Sequence, residues 1–257
     1  MQWKPFLWLH AFAFLLFASW VFPPTATLWN ALDLWLFRTL NSGLQGSPIA
    51  QIFWALANVK MTDFYGALFM VTFSLIYVFD KKANMAKFRL AQFFYFLLWF
   101  EIGILSLKEV LFKGLVAFDF LRDSPSILFN DTFLLSEVVP WLKIKDSSHW
   151  CFPGDHAFIV LQWAGFITAF CGRRLGLVAY LSTIFFILPR LIAGAHWITD
   201  TLCGSLPLSV LCLAWACYTP LYPFVMSYFE RMTQALFSFI HTLRNFKLVR
   251  INVQKEC

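Results

Sequence analysis

The chain has 257 residues, of which 60% are hydrophobic and only 13% are charged. The charged share is about half of that in soluble globular domains, and the apolar residues are too many and too evenly spread for one soluble core. These proportions exclude an ordinary soluble domain. The formal net charge of +6 does not indicate a nucleic-acid-binding protein either, because the basic residues lie in short clusters between apolar stretches and form no continuous surface.

Crossing a bilayer takes roughly 17–25 helical residues. Six stretches of the chain are apolar and have this length or fall slightly short of it. They cover residues 6–22, 64–79, 90–112, 157–172, 175–187 and 201–218. The sequence therefore predicts an all-α, polytopic membrane protein with six transmembrane helices.

The basic clusters predict the orientation of these spans, because Lys and Arg in short loops are retained on the cytoplasmic side. With six spans, all of the clusters fall on one side: Lys4; Lys81, Lys82, Lys87 and Arg89; Arg173 and Arg174; and Arg231, Arg244, Lys247, Arg250 and Lys255. Both termini are then cytoplasmic. The opposite face receives residues 23–62, 113–155 and 188–200, which carry most of the acidic side chains.

Two amphipathic segments are too polar to span and are predicted to be interfacial helices, one before the second span (28–40) and one at the C-terminus (226–248). The second could equally pack on the cytoplasmic end of the bundle. We expect one membrane domain over 1–225, followed by a basic amphipathic tail over 226–257.

Chemistry-bearing residues concentrate on the non-cytoplasmic face. His196 and Asp200 are four residues apart, which on a helix would let the carboxylate accept a hydrogen bond from one ring nitrogen and leave the other nitrogen as a nucleophile or metal ligand. A structural His-Asp pair at a helix end is the alternative.

The run Pro153-Gly154-Asp155-His156 predicts a turn followed by a helix start. Such a start can also bind an anion through backbone N–H groups, with His156 nearby as a proton donor. Arg122 and Arg190 lie close to the same boundary, and arginine suits bidentate binding of phosphate oxygens.

Three elements together, Lys113 to Arg122, Pro153 to His156, and Arg190 to His196 to Asp200, resemble the three-part signature of the type 2 phosphatidic acid phosphatase superfamily, membrane enzymes that act on lipid phosphates. The third element is complete. The second has Pro-Gly-Asp-His where Pro-Ser-Gly-His is common, and the first has eight residues between Lys and Arg where six are common.

These departures resemble one branch of the superfamily, bacterial enzymes that transfer a phosphate from undecaprenyl diphosphate to the 1-phosphate of lipid A. The resemblance implies that His196 attacks the terminal phosphorus and becomes a phosphohistidine, that Asp200 orients its ring, and that His156 is the general acid and base. It further implies a group of phosphate ligands: Arg122, Arg190, Lys113 and the backbone of Gly154. Lys108 is the alternative to Lys113.

The same resemblance implies an enzyme of the bacterial inner membrane with its active site on the periplasmic face. No metal or cofactor is expected. The expected partners are lipid phosphates (undecaprenyl diphosphate, lipid A or phosphatidate) and membrane lipids, and no nucleic acid. Asp155 places a carboxylate beside a phosphate site, so it either caps the helix or pairs with Lys113 or Arg122, or it modulates the choice between transfer and hydrolysis.

Three other functions stay open at this point. The chain could be a lipid phosphate phosphatase that hydrolyses undecaprenyl diphosphate or phosphatidate. A lipid transporter or flippase would explain the intramembrane Glu101, though not the spacing of the histidines. A metal site built from His156, His196 and Asp200 is also chemically reasonable.

Overall fold

The structure is a computed structural model that describes residues 1–80, 85–117 and 122–253, without the side chains of 110 and 244–253. Some of the basic residues that predict the orientation therefore lie outside the described residues: Lys81, Lys82 and Lys255. The side chains of Arg244, Lys247 and Arg250 lie outside them as well.

The described residues are helical and contain no β-strand, only one isolated bridge between Val59 and Ile144. The helices are α1 (Trp3–Val21), α2 (Pro23–Ser42), α3 (Pro48–Ala57), α4 (Lys60–Val78), α5 (Ala86–Leu105), α6 (Lys113–Ala117), α7 (Pro125–Leu128), α8 (Leu135–Val138), α9 (Asp155–Cys171), α10 (Arg173–Ile192), α11 (Leu206–Tyr218) and α12 (Leu221–Val253). Two π-helical segments, Ser106–Phe112 and Asp200–Ser205, continue α5 and lead into α11. The predicted all-α class is confirmed.

Five helical stretches of the described chain are long and apolar enough to cross a membrane: Trp3–Val21, Lys60–Val78, Ala86–Ala117, Arg173–Ile192 and Asp200–Tyr218. They correspond to five of the six predicted spans. The remaining prediction, 157–172, falls on α9, whose 17 residues are shorter than those five. The count of six is therefore not confirmed by length and composition.

Prolines set the boundary between the first two helices. Pro23 and Pro24 occupy the first turn of α2, where a missing N–H costs nothing. The residue before a proline avoids the helical region, and Phe22 accordingly adopts an extended conformation with φ −69° and ψ 119°. Helix α1 therefore ends at Val21, and α2 begins immediately after it.

The core is built around α9, which packs against α10 and α11. Its largest buried side chains are Phe158, Trp163 and Phe166. Close approach to α10 depends on a glycine, since a Cβ on Gly176 would lie 2.3 Å from Thr168 Oγ1 and 2.9 Å from the Thr168 Cα. Helix α9 is thus the centre of the bundle.

The two segments predicted to be interfacial are both partly packed against the protein. In α2, Asp33 and Phe37 are buried. In α12, Met226 and Thr233 are buried, and the Phe229 ring stacks on Phe94 of α5. The predicted domain boundary at 225/226 falls inside α12.

Candidate active site

Several helix ends meet at one end of the bundle and bring the candidate residues together. Asp63 lies in the first turn of α4, His156 is the second residue of α9, and Arg190 lies in the last turn of α10. The loop that follows α10 carries His196, and Asp200 begins the next helical segment. The predicted elements from 153–156 and 190–200 therefore lie side by side.

His196 does not lie on the helix face that the four-residue spacing suggested. The chain leaves α10 through Gly194, whose φ of +76° favours glycine, and His196 lies in the connecting loop. Its Nδ1 lies 2.9 Å from the carbonyl oxygen of Cys151 and 3.4 Å from Asp200 Oδ2. The hydrogen bond is therefore made to a backbone carbonyl, and the Asp200 carboxylate lies beside it.

This contact fixes the tautomer of His196. A carbonyl oxygen can only accept, so Nδ1 carries the proton and Nε2 is left with its lone pair. The residue is only 6% exposed, and its Nε2 has no hydrogen-bond partner in the described part of the protein. A buried nitrogen with a free lone pair is thus available at this position.

Asp200 is fully buried and holds the loop in place. Its Oδ2 accepts from the backbone N–H of Trp197 at 2.7 Å, and its Oδ1 accepts from Arg122 at 2.6 Å. The same guanidinium donates to Thr199 Oγ1 and to Asp33 Oδ2 of α2, at 2.8 and 2.7 Å. Arg122 is therefore the shared cation of two buried carboxylates.

The surroundings of Arg122 differ from those of a residue that contacts phosphate. Its guanidinium lies over the indole rings of Trp20 and Trp197, 5.4 and 5.3 Å from their centroids. Burial opposes its charge, but the carboxylates of Asp200 and Asp33 outweigh this effect and raise the pKa of Arg122. The geometry therefore favours a structural role over the predicted phosphate contact, because Arg122 donates to Asp200, Thr199 and Asp33 within the protein.

His156 and Arg190 line a narrow gap together with His196 and Gly154. His156 Nε2 lies 3.1 Å from the carbonyl oxygen of Phe186, so this nitrogen donates, and Nδ1 is the nitrogen that can exchange a proton with a ligand. The Nδ1 atom is 3.6 Å from Asp63 Oδ1. A second histidine with a free ring nitrogen thus faces the same site.

Arg190 is buried and held by side chains from other elements. One of its terminal nitrogens lies 2.9 Å from both carboxylate oxygens of Asp63. The other donates to the side-chain and backbone oxygens of Asn58. Asp63 is about half exposed, so its carboxylate occupies a position from which a competing anion could displace it.

Gly154 and Asp155 join the start of α9 to the rest of the site. The Gly154 carbonyl accepts from Ser205 Oγ at 2.6 Å, and its N–H donates to the Asp200 carbonyl at 3.3 Å. Asp155 Oδ1 accepts from the His156 N–H at 2.7 Å and lies 3.7 Å from Lys145 Nζ. The pairing partner of Asp155 is therefore Lys145, and neither Lys113 nor Arg122 takes that place.

The structure does not bring Lys113 to this cluster. Its ammonium group pairs with Glu109, one helical turn away, and both side chains are largely exposed. Lys108, the alternative, is also exposed. The prediction that one of these lysines contacts phosphate is not supported by their positions, because the Lys-to-Arg spacing says nothing about the direction of the helix that carries the lysine.

A cavity of about 300 Å³ opens beside the gap and shares His156 and Arg190 with it. At one end it is lined by charged groups, Asp63, Lys145 and Asp155. The other end is apolar and includes Met70, Val71, Phe96, Leu97 and Phe100. Among the described residues, no three His, Cys, Asp or Glu side chains lie together as metal ligands.

Sequence reasoning missed four residues of the site: Asp33, Asn58, Asp63 and Lys145. Asp33, Asn58 and Asp63 come from segments far from the motifs, and Lys145 lies in the loop before Pro153. Asp33 lies within the predicted amphipathic segment 28–40. A charged residue that interrupts an apolar face was the available signal.

The chain is similar to known proteins in sequence and in structure. The family model described as "PAP2 superfamily" matches residues 118–224. The lipid A 1-diphosphate synthase of Escherichia coli (strain K12) is 28% identical over 219 residues, covering 84% of this chain and 88% of the relative. The crystal structure of Aquifex aeolicus LpxE aligns with a TM-score of 0.44 and 21% identity over 71% of this chain and 92% of that one. Residues 118–224, which match the PAP2 superfamily model, contain both histidines of the site, the two arginines and Asp200.

Proposed function

We propose that this protein is a membrane phosphotransferase that moves the terminal phosphate of undecaprenyl diphosphate, through a phosphohistidine, to the 1-phosphate of lipid A. PAP2 superfamily enzymes are phosphatases and phosphotransferases, and the relative over 84% of the chain is a lipid A 1-diphosphate synthase. The observation that carries the proposal is the buried, unpartnered Nε2 of His196 beside His156 and Arg190.

In the first step, the lone pair of His196 Nε2 attacks the terminal phosphorus. A P–N bond forms, and the bond from phosphorus to the bridging oxygen breaks. His156 enters this step as the imidazolium, with a second ring proton on Nδ1 beside the Asp63 carboxylate. The bridging oxygen stays with undecaprenyl phosphate and takes this Nδ1 proton, which leaves a lone pair on Nδ1. Arg190 stabilises the charge on the equatorial phosphoryl oxygens, which is the main requirement of a loose phosphoryl-transfer transition state.

The positive charge of the modified imidazole is compensated from the other side. The Asp200 carboxylate lies 3.4 Å from Nδ1, and Nδ1 keeps its proton, which it donates to the Cys151 carbonyl. Arg122 balances Asp200 and Asp33 and so acts as a positioning residue. No cofactor is needed for this step.

In the second step, an oxygen of the lipid A 1-phosphate attacks the phosphorus of the phosphohistidine. The P–N bond breaks, Nε2 recovers its lone pair, and His156 Nδ1 accepts the proton of the acceptor. If water takes the place of this acceptor, the product is inorganic phosphate, and the protein is a lipid phosphate phosphatase. Both reactions share the first step, so the acceptor decides between them.

We also propose that α9 is a sixth span and that the chain lies in a bacterial inner membrane with the site on the periplasmic face. The 17 residues of α9 reach the lower limit for crossing a bilayer. Helix α9 is surrounded by other helices, so it can carry polar residues that a lipid-facing helix would avoid.

The test follows the phosphate. Detergent-purified protein is given undecaprenyl diphosphate labelled in its terminal phosphate, with and without lipid A. We expect label in lipid A diphosphate when the acceptor is present, and acid-labile, base-stable label on the protein after a rapid quench.

The matched variant is His196→Asn, which keeps a side-chain N–H near the Cys151 carbonyl while removing Nε2. We expect it to lose at least about 10⁴-fold in turnover and all protein-bound label. His149→Ala is the control, because His149 is exposed and pairs with Asp123. Label retained on the His196→Asn protein would show that another residue is the nucleophile, and release of phosphate without transfer would favour the phosphatase.

A further inference from the structure

The charged end of the 300 Å³ cavity carries more charged side chains than the binding of one phosphate group requires. Two carboxylates and two cations face it as pairs, Asp63 with Arg190 and Asp155 with Lys145. Arg190 also lines the gap that contains His196, whereas Lys145 lines only the cavity. The cavity therefore has one cation that also reaches the gap at the nucleophile and a second cation that lines the cavity alone.

Lys145 is held in place by its backbone. Its N–H donates to the Asn58 carbonyl at 3.4 Å, and its own carbonyl accepts from Asn58 Nδ2 at 2.9 Å. The neighbouring Ile144 bridges to Val59, and the buried Asp146 accepts from the Ser136 N–H at 2.9 Å. None of these contacts uses the Lys145 side chain. The backbone therefore positions Lys145 and leaves its ammonium group available to a ligand.

The Lys145–Asp155 pair is held loosely. Its 3.7 Å separation exceeds the 2.7–2.9 Å or so of a tight charge-assisted hydrogen bond, and an exposed pair contributes little by itself. The Lys145 side chain is 44% exposed. An anion entering the cavity can therefore take the ammonium group from Asp155 without leaving a buried charge unpaired.

We propose that Lys145 binds the second, non-transferred phosphate of a diphosphate lipid, with Asp155 holding the lysine between turnovers. The inference rests on the proposed function, in which the gap at His196 receives the transferred phosphoryl group. In a diphosphate, the second phosphorus is joined to the first through one oxygen, so it lies in the adjoining charged end of the cavity, which Lys145 lines. A monophosphate lipid has no group at that position.

The placement serves both half-reactions. The donor is a diphosphate, and the product of transfer to a lipid 1-phosphate is again a diphosphate. In each case the phosphate bonded to the lipid is the one that does not form the bond to His196. A single lysine therefore holds the leaving group of the first step and the attacking group of the second, and selects an acceptor that carries its own phosphate.

The experiment compares Lys145→Ala, Lys145→Arg and a control, Lys143→Ala, which changes an exposed lysine two positions away. In detergent, kcat/KM is measured for undecaprenyl diphosphate and for phosphatidate. We expect Lys145→Ala to lower kcat/KM for the diphosphate about 30-fold or more. The fall in kcat/KM for the monophosphate should be at least tenfold smaller. Lys145→Arg should recover most of the loss.

A binding measurement tests the same role of Lys145 without catalytic turnover. Inorganic pyrophosphate and inorganic phosphate are titrated into the His196→Asn protein with and without Lys145→Ala. We expect the lysine substitution to weaken the binding of pyrophosphate at least tenfold more than the binding of phosphate. Equal weakening of both ions, or unchanged pyrophosphate binding, overturns the inference. Failure of the phosphohistidine would instead appear as unlabelled wild-type protein, whatever Lys145 does.

Discussion

His156 and His196 are each anchored to a backbone carbonyl through one ring nitrogen, and the anchored nitrogen differs between them. His196 uses Nδ1 on Cys151, and His156 uses Nε2 on Phe186. Each ring is therefore held in one orientation, with its other nitrogen free to face the site. Any residue type supplies a carbonyl, so neither anchor could have been found in the sequence.

The first prediction at this scale concerns Arg122. Substitution Arg122→Met leaves Asp33 and Asp200, which are 2% and 0% exposed, without their cation. Breaking a buried ion pair in this way costs about 3–5 kcal/mol. We expect a marked fall in the thermal unfolding temperature in detergent, together with loss of activity.

The double variant Arg122→Met/Asp33→Asn separates this role from phosphate binding. It leaves one buried carboxylate without a cation, so it should be more stable than Arg122→Met alone. Arg38→Met is the control, since the exposed Arg38 lies over the Phe129 ring, 5.5 Å from its centroid. A wild-type unfolding temperature combined with a raised KM would instead make Arg122 a phosphate ligand, as the sequence predicted.

At the scale of elements, the spans were predictable because hydropathy is a local property of the chain, and five of the six predicted stretches became helices of membrane-spanning length. The site was less predictable. The spacing of His196 and Asp200 was interpreted as helical, yet His196 lies in a loop that Asp200 closes through the Trp197 N–H. Asp33 and Asp63 reach the site only because α2 and α4 pack there, and packing between distant segments leaves no local pattern.

A glycine contact between two elements of the site provides the next prediction. A Cβ on Gly204 would lie 2.8 Å from Pro153 Cβ and 3.1 Å from Pro153 Cα. Gly204→Ala should therefore push the Asp200–Ser205 segment away from the start of α9, at a cost of about 1–3 kcal/mol. Because the hydrogen bond from Ser205 Oγ to the Gly154 carbonyl joins the same two elements, we expect activity to fall at least tenfold.

The control for this prediction is Gly114→Ala in α6. A Cβ on Gly114 meets no atom within 4 Å, and alanine favours a helix over glycine. Unfolding temperature and kcat are measured for both variants. Wild-type values for Gly204→Ala would show that the contact between the two elements can relax without moving the site.

At the scale of the whole molecule, the two ends of the bundle differ in chemistry. The site end carries Asp33, Asp63, Lys145 and the histidine cluster. At the opposite end, the Gln2 N–H donates to the Tyr218 carbonyl, and Arg89 and Tyr77 donate to the Tyr77 and Phe170 carbonyls. The basic residues Lys4, Lys87, Arg89, Arg173 and Arg174 lie at that opposite end, next to these contacts or at helix starts.

The last prediction fixes which end faces the cytoplasm. Positively charged loops are retained there, so the end with Arg173 and Arg174 should be cytoplasmic and the site should face the periplasm. A reporter enzyme that is active only outside the cytoplasm is fused after residue 146, after residue 174 or after the last residue. Of these three fusions, we expect only the one after residue 146 to be active. A fusion after Gly43, between α2 and α3, lies on the site end as well and should also be active. An active fusion after residue 174 with inactive fusions after residues 43 and 146 would place the site on the cytoplasmic face. A donor on the periplasmic leaflet could then not reach His196.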